Sequence, residues 1–564
     1  MNRRNAAGTM KITSIPQIYR NVNRWGEILS VLSKYGLADW VSRLDLDFVK
    51  GLFKDADGEV LARHTREVRV RLAFNELGPT FIKLGQILST RPDLIGVDLA
   101  AELTHLQCEV RADPPATVRH TIEAELGEPI EALFAEFDDA PLASASIGQV
   151  HQARLHSGEL VVVKVQHAGI EEKVRVDLDI LGGLGQMAEM VPEFVNYRPR
   201  ATAEEFQRTL LRELDFGREE RQMQQFAQDF ADDPRIHVPR SHPRLSTERV
   251  LTMEMLDGLR LCETAALAEA GSDLAELARR GAEIYLTMIF TNGFYHADPH
   301  PGNILVLPGG VFGLLDYGMV GRIDEPLREL IEEMLSAVVH CDAVHLTSII
   351  TRIGTVPPQL DAASLSIDVT DFLAHYAHQQ IDELELGGAL NEMVEIIRRY
   401  HIMLPARIAL LIKVLVMLEG TGRLLNPRFS LVEVMRPYQR QMMFRRLSPA
   451  RQLRRLRRLY SELEHLAEVL PRGIADILQQ VQSGRFYVHL DHRGLEPSVN
   501  RLVLGMLASA LFLGSSWMMS QKVGPLVPWV DLSLLGVIGC TTAIMLGLRL
   551  LRAINKSGHL DRRK

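Results

Sequence analysis

The stretch that most constrains this chain is Tyr295-His296-Ala297-Asp298-Pro299-His300-Pro301-Gly302-Asn303, followed after a short interval by Leu315-Asp316-Tyr317-Gly318. An aspartate, an asparagine shortly after it and a second aspartate ahead of a glycine are the groups that phosphoryl transfer requires. One carboxylate orients or deprotonates the acceptor, while an amide oxygen and another carboxylate hold the metal ions that neutralise the phosphates. The apolar runs Asn303-Ile304-Leu305-Val306-Leu307 and Val311-Phe312-Gly313-Leu314-Leu315 flank Pro308-Gly309-Gly310. That spacing predicts a hairpin carrying Asn303 and Asp316 at neighbouring strand ends. Asp-Pro and Pro-Gly form turns in any protein, and an isolated HxD triplet would mean no more than that. Here the triplet, the Pro-Gly-Asn, the hairpin and the Asp-Tyr-Gly agree on one chemistry.

The upstream sequence supplies what such a site needs. Pro141 to Ala153 reads as a small-residue loop entering a strand, and Gly158 turns the chain into the strand Leu160-Val161-Val162-Val163-Lys164-Val165-Gln166. The small side chains of Ala143, Ser144, Ala145 and Ser146 let backbone N–H groups approach phosphates. Lys164 reaches the same phosphates if a helix carboxylate orients it. One helix is expected from near Ala203 through Glu220, and Glu213, Asp215, Glu219 and Glu220 are all candidates for that carboxylate. Val238-Pro239 and Val250 to Gly258 read as two more strands, the second ending in an acidic hinge. A helix from Leu274 to Asn292 leads into the catalytic stretch. This order is that of a two-lobed kinase.

Further upstream, Ile15 to about Leu52 is amphipathic and a helix is expected from Glu59 to Asn75. Pro79 suits a helix start, and Lys83 and Gln86 then share one face. Gly85 between them costs such a helix about 1 kcal/mol relative to alanine, which implies that something packs closely there. Leu99 to Gln107 is helical, Pro114-Pro115 interrupts, and Thr117 to Leu126 resumes.

The formal net charge of -8 argues against a general nucleic-acid binder. Cys108, Cys262, Cys341 and Cys540 lack CxxC spacing, so neither a zinc site nor a disulfide framework is expected. No continuous apolar run follows Arg3, Arg4 and Lys11, so no cleavable signal peptide is expected. Leu502 to Met519 and Leu532 to Leu548 are free of charge, each near the ~20 apolar residues that span a bilayer. Trp517 and Trp529 fall toward the connection between them. Arg493 and Arg501 precede the first run; Arg549, Arg552, Lys556, Arg562, Arg563 and Lys564 follow the second. The positive-inside rule then puts both ends and the folded body on the cytoplasmic side of a bacterial-type inner membrane. Arg436, Arg440, Arg445, Arg446, Arg451, Arg454, Arg455, Arg457 and Arg458 form a basic stretch suited to anionic lipid headgroups. From Pro326 to about Met435 helices complete the large lobe, where His340, Asp342 and His345 read as helix-surface polar residues rather than metal ligands. Tyr460 to Leu490 reads as a helical linker.

Together these residues resemble the UbiB/AarF family of atypical protein-kinase-like proteins, which includes the mitochondrial ADCK proteins. The motifs lie between Pro79 and Asp324, and the terminal hairpin matches as well. The KxGQ signature stands as Lys83-Leu84-Gly85-Gln86, the alanine-rich loop as Ala143 to Gln149, and the ExD signature as Glu213-Leu214-Asp215. Lys164 looks like the nucleotide lysine, and by its place in the family pattern Glu219, rather than Glu213, is its partner. Asp298 matches the catalytic-loop aspartate, with Asn303 and Asp316 as metal ligands. The resemblance implies an α+β, two-lobed kinase-like fold binding ATP and Mg²⁺ between the lobes. A KxGQ-bearing extension (1–135) would pack over the site where a peptide substrate would lie. The N-lobe (136–258), C-lobe (259–440), basic helical linker (441–500), transmembrane hairpin (501–552) and basic tail (553–564) would follow.

It further implies restricted protein-kinase activity, ATPase activity, and support of ubiquinone or other isoprenoid-quinone synthesis at a membrane. Lipids, a quinone precursor and quinone-biosynthesis proteins are the implied partners. Three departures stand out: Asp-Tyr-Gly replaces the Asp-Phe-Gly of many kinases, Ser144 interrupts the alanine-rich loop, and Leu106-Gln107-Cys108 stands where the family has Leu-Gln-Asp. HxDxHPGN also occurs in aminoglycoside- and choline-kinase-like proteins, so a small-molecule kinase is an alternative, and a nucleotide-binding scaffold is another. The KxGQ helix and alanine-rich loop favour the UbiB-like reading; the intact base-and-metal set favours an enzyme.

Overall fold

The valine run at 161–165 is the structural pivot of the small lobe. In the computed structural model, which describes residues 22–37, 64–106, 111–189, 198–377, 385–446, 495–526 and 532–556, this run lies in an antiparallel sheet ordered β1-β2-β3-β5. Its strands are β1 (Glu136–Ser144), β2 (Gly148–Arg154), β3 (Leu160–Gln166) and β5 (Val250–Glu254). Strand alternation sends Val161, Val163 and Val165 to one face, where they form a core with Val118 and Ile122 of the helix Pro115–Leu126. Lys164 is thereby left on the opposite face, toward the large lobe. The sequence reading of 141–153 as a loop entering a strand is corrected here. Residues through Ser144 already belong to β1, which pairs with β2 through register shifts around Pro141, and the turn is confined to 145–147. Pro115 opens its helix at the first position rather than interrupting one.

In the amino-terminal region, α1 (Val22–Lys34), α2 (Arg66–Leu77) and α3 (Pro79–Leu88) share a second core with residues of α4 (Ile170–Ala188). Thr65 caps α2, accepting from the Val68 N–H. Gly78, at φ 93°, breaks the chain between α2 and α3, and Pro79 starts α3. The cramped glycine expected in the KxGQ motif is found. A Cβ on Gly85 would collide with the Leu106 side chain and come within 2.9 Å of Phe74. Gln107 and Cys108 lie outside the described residues.

The helix expected from Ala203 through Glu220 is two helices, α5 (Pro199–Glu213) and α6 (Phe216–Asp229). Asp215 ends the first by capping the second: its side chain accepts from the Arg218 N–H at 3.1 Å, and side-chain capping of this kind competes with helix continuation. The strand expected at Val238-Pro239 is the two-residue β4 (Ile236–His237), and it pairs in parallel with Phe312-Gly313 of another sheet. Pro239 has no N–H with which to extend that ladder.

In the large lobe, α7 (Leu274–Leu286) runs toward β7 (Phe294–His296), which pairs with β10 (Val320–Arg322). Between them lies the expected hairpin, β8 (Ile304–Leu307) and β9 (Val311–Leu314), in register Ile304↔Leu314 and Leu307↔Val311, with the two-residue β6 (Leu259–Arg260) pairing antiparallel to β8. Gly309 and Gly310, both at positive φ, make its turn. α8 (Glu325–Val339), α9 (Ala343–Ile353), α10 (Ala362–Ala377), α11 (Leu386–Arg399), α12 (Ala406–Leu425) and α13 (Leu431–Arg446) complete the lobe. Asp342 caps α9 through the His345 N–H, and His340 bonds the Ser336 carbonyl. Neither belongs to a metal cluster among the described residues.

A separate unit, Pro449–Lys564, contains α14 (Leu495–Ser520) and α15 (Leu534–Lys556). Within it, Gly539 and Gly536 face Ser515, and a Cβ on Gly536 would lie 2.8 Å from the Ser515 carbonyl. Small residues at this crossing let the two backbones approach. Segments 502–520 and 534–552 are long and apolar enough to cross a membrane, with Leu507, Leu513 and Met545 more than half exposed. Trp529, Arg451 to Arg458, the linker 460–490 and the basic residues after 556 lie outside the described residues.

Candidate active site

The break between α5 and α6 decides which carboxylate meets which lysine. In one continuous helix Glu213 and Glu219 would stand roughly 120° apart around the axis. With the break, each faces a different cation. Glu219, in the first turn of α6, takes Lys164 Nζ at 2.7 Å to Oε2 and 3.0 Å to Oε1. Glu213, ending α5, takes Lys83 Nζ of α3 at 2.8 Å. Asp215 stays at the cap of α6 and also accepts from Arg221 at 3.1 Å. Gln86 lies nearly one turn beyond Lys83 on α3.

Lys164 is the hub. Its ammonium sits 3.9 Å from Asp316 Oδ1 and 4.9 Å from the centroid of the Phe216 ring. Burial works against its charge, yet the Glu219 and Asp316 carboxylates hold its pKa above the ordinary lysine value. Asp316 is held low. Desolvation pushes its carboxyl up, but the Lys164 and Lys83 ammoniums, with the Gly318 N–H at 2.8 Å, keep it well below the usual carboxylate range. The Tyr317 N–H donates to Glu219 Oε1 at 3.3 Å, tying the Asp-Tyr-Gly turn to α6. The tyrosine ring packs on Phe226 of α6 at 5.4 Å, which accounts for an aromatic at this position.

The hairpin joins the other two groups. The Leu315 N–H donates to the Asn303 carbonyl at 3.0 Å, so the strand ends carrying Asn303 and Asp316 are neighbours. Asn303 Nδ2 donates to Asp298 Oδ2 at 2.7 Å and leaves the amide oxygen without that role. His296 is fully buried; its Nε2–H donates to the Asp316 carbonyl while Nδ1 accepts from the Asp298 N–H at 3.3 Å. One imidazole therefore fixes both aspartate-bearing loops. Thr421 of α12 donates to the Pro299 carbonyl at 3.1 Å.

Over the small lobe, Ala143 and Ser144 end β1, and Ala145 and Ser146 form the turn into β2. Ala145 N–H donates to the Gly148 carbonyl at 2.8 Å, and His167 Nε2 lies 3.0 Å from the Ala145 carbonyl. The Ser144 hydroxyl is buried without a partner.

The structure thus brings together Lys164, Glu219, Asp298, Asn303 and Asp316, and places the Lys83–Glu213 pair beside them. Two further residues stand beside this constellation. His296 was seen only as part of the HxD triplet, although that triplet was its signal. Lys413 was not singled out, although it is a lysine inside the apolar run Ala406 to Leu418 of α12. Burial pushes its ammonium below the ordinary lysine value, against the pull of Asp298 and Glu213 and with repulsion from Lys83.

Comparisons with known proteins identify the family. The ABC1 atypical kinase-like domain matches residues 105–350, the UbiB helical domain 369–430, and the ABC1/UbiB kinase-like C-terminal domain 490–556. An uncharacterized protein in the hydrogenase 1 5′ region of Clostridium pasteurianum is 30% identical over 96% of this chain and 100% of its own length. Probable protein kinase UbiB of Aeromonas hydrophila is 32% identical, covering 84% of this chain and 88% of that protein. The Xylella fastidiosa protein of the same name is 34% identical over 75% and 78%, respectively. A solved complex of Rv3197 with erythromycin from Mycobacterium tuberculosis aligns with 67% of this chain and 96% of that one, at 23% identity and a TM-score of 0.42. With a kinase-like core, a matching helical domain and relatives aligned over most of their length, the chain belongs to the UbiB family of ABC1 kinase-like proteins.

Proposed function

We propose that the chain is a membrane-anchored, ATP-dependent kinase-like enzyme, an ATPase that serves ubiquinone or a related isoprenoid-quinone synthesis. One observation carries the reading: Lys164 bridges Glu219 at 2.7 Å and Asp316 at 3.9 Å, while Asn303 holds Asp298 at 2.7 Å. The residues suit the groups they would receive. Mg²⁺ takes hard oxygens, usually one or two carboxylates plus substrate phosphates. The half-exposed Asp316 carboxylate and the Asn303 amide oxygen are such donors. The orphaned Ser144 hydroxyl, in the loop of small residues, suits a phosphate oxygen.

When bound, Mg-ATP supplies the transferable phosphoryl group and the positive charge at it. The chain's own residues do the rest. Lys164, kept as an ammonium by two carboxylates, orients phosphate oxygens. The backbone of 143–146 covers them. Asp298, held by Asn303 and by its N–H to His296, accepts the proton of an attacking hydroxyl or water. The Lys83–Glu213 pair keeps α3 over the side of the site where a protein substrate would enter, which favours small acceptors or water. α14 and α15 span the membrane with the catalytic body in the cytoplasm, where the basic flanks favour it, and the basic stretch after Arg436 contacts anionic headgroups.

The test is the quinone content of cells whose only copy carries Asp316→Asn. An enzyme loses hydrolysis and quinone synthesis together. Retained quinone synthesis with a stably expressed variant would make the protein a nucleotide-binding scaffold instead.

A further inference from the structure

Residue 167, just after β3, holds the carbonyls on either side of Ser146 in the turn between β1 and β2. The His167 N–H donates to the Ile147 carbonyl at 2.9 Å, and His167 Nε2 stands 3.0 Å from the Ala145 carbonyl. A carbonyl oxygen only accepts, so Nε2 carries the proton in this contact. The histidine is buried, with 8% of its surface exposed.

Asp113, just ahead of the helix Pro115–Leu126, fixes both flanks of the same turn. Its Oδ2 accepts the Ala168 N–H at 2.9 Å and lies 3.2 Å from His167 Nδ1. Its own N–H donates to Gln149 Oε1 of β2 at 2.7 Å, and Gln149 Nε2 lies 2.7 Å from His151 Nε2. One aspartate therefore ties the end of β3 to the start of β2, with the histidine between them.

The donors of the turn are left over. The Ala145 N–H is taken up by the Gly148 carbonyl at 2.8 Å, whereas the Ser146 and Ile147 N–H groups have no hydrogen-bond partner among the described residues. Successive unpaired backbone N–H groups in a turn make an anion-binding concavity. With the flanking carbonyls engaged by residue 167, these two donors remain for phosphate oxygens.

We infer that His167, clasped by Asp113, is a positioning residue for nucleotide phosphates, holding the 145–147 turn so that the Ser146 and Ile147 N–H groups meet them. The phosphate role rests on the ATP reading above; the clasp itself does not.

The test is equilibrium binding of Mg-ATP and of adenosine to the full-length protein in phosphatidylcholine nanodiscs. His167→Phe keeps a ring and removes the donor, while His167→Gln puts an amide N–H in its place. His167→Phe should weaken ATP binding about tenfold, the size of one lost hydrogen bond to a buried acceptor. Adenosine, which has no phosphate, should bind as before, and His167→Gln should recover most of the ATP affinity. Without nucleotide, hydrogen exchange across 145–149 should be faster in His167→Phe than in the unmodified protein, with 160–165 unaffected. Undiminished ATP affinity in folded His167→Phe, equal losses for ATP and adenosine, no recovery in His167→Gln, or unchanged exchange at 145–149 would overturn the inference. If His167→Phe fails to fold, Asp113→Ala must show the same ATP-selective loss, or the inference fails. Absence of ATP binding by the unmodified protein defeats the ATP reading and the phosphate role with it, whereas ATP binding indifferent to His167 defeats this inference alone.

Discussion

Breaking the Lys83–Glu213 pair should release α3, and the two single substitutions should differ. The ion pair is 2.8 Å long, with side-chain exposures of 18% and 7%. At an effective dielectric of about 20, its Coulomb attraction is roughly 6 kcal/mol. Desolvation of both charges offsets much of this, leaving a coupling of about 1–3 kcal/mol. Lys83→Met strands Glu213, whose two oxygens have no hydrogen bond and whose cation is then gone. An uncompensated buried charge costs about 3 kcal/mol or more. Glu213→Gln leaves Lys83 within the field of the Asp316 carboxylate, so its loss should be nearer 1 kcal/mol. Hydrogen–deuterium exchange across Pro79–Leu88 reads the opening of α3 directly. Lys83→Met should accelerate it about a hundredfold, and Glu213→Gln about tenfold. The double variant should be less than additive, by about 2 kcal/mol. Unchanged exchange in Lys83→Met, or strict additivity, would refute the idea that this pair holds the KxGQ helix in place.

Other expectations concern packing, pH and the membrane unit. Gly85→Ala gains about 1 kcal/mol of helix propensity but forces a Cβ against Leu106 and Phe74. The net effect should be a loss of about 1–3 kcal/mol, read as a lowered unfolding midpoint; a raised midpoint would mean the helix is not clamped there. The Asp316 carboxyl is depressed in the folded state by Lys164 and Lys83. Its contribution to stability is therefore fully present above the unfolded value of about 3.9 and fades only as pH falls through the lower folded value. Carboxyl NMR of a selectively labelled sample should show Asp316 still ionised at about pH 4, and titration at the ordinary value would contradict the assignment. Gly536→Leu should separate α14 from α15, because even a Cβ there lies 2.8 Å from the Ser515 carbonyl. Spin-label distances between the helices would report it, and an unchanged distance would argue against that crossing.

Much of the site was legible because its signals were local. Pro308-Gly309-Gly310 between two apolar runs fixed the hairpin, and with it the adjacency of Asn303 and Asp316. Lys164 stood out as the polar member of a β-branched strand. The partner of Lys164 was not legible from charge alone. Glu213, Asp215, Glu219 and Glu220 are equivalent in composition, and they separate only because Asp215 caps a new helix. Family resemblance singled out Glu219, and the 2.7 Å contact agrees. β1 was hidden because its exposed residues do not alternate with buried ones and its register shifts at Pro141. β4 was misplaced because a two-residue strand takes its partner from 76 residues away, Ile236 against Phe312, and no periodicity encodes that. His296 and Lys413 act through tertiary neighbours, which one-dimensional spacing does not record.

The central claim is that this constellation turns over ATP. Its most direct test is phosphate release by the full-length protein in nanodiscs with Mg²⁺ and ATP, compared with Asp298→Asn and Asp316→Asn. Removing a general base should reduce the rate by about 10²–10⁴-fold, and removing the metal carboxylate should abolish it while folding persists. Turnover that survives in both variants would place the chemistry elsewhere, and nucleotide binding without turnover in the unmodified protein would contradict the enzymatic account.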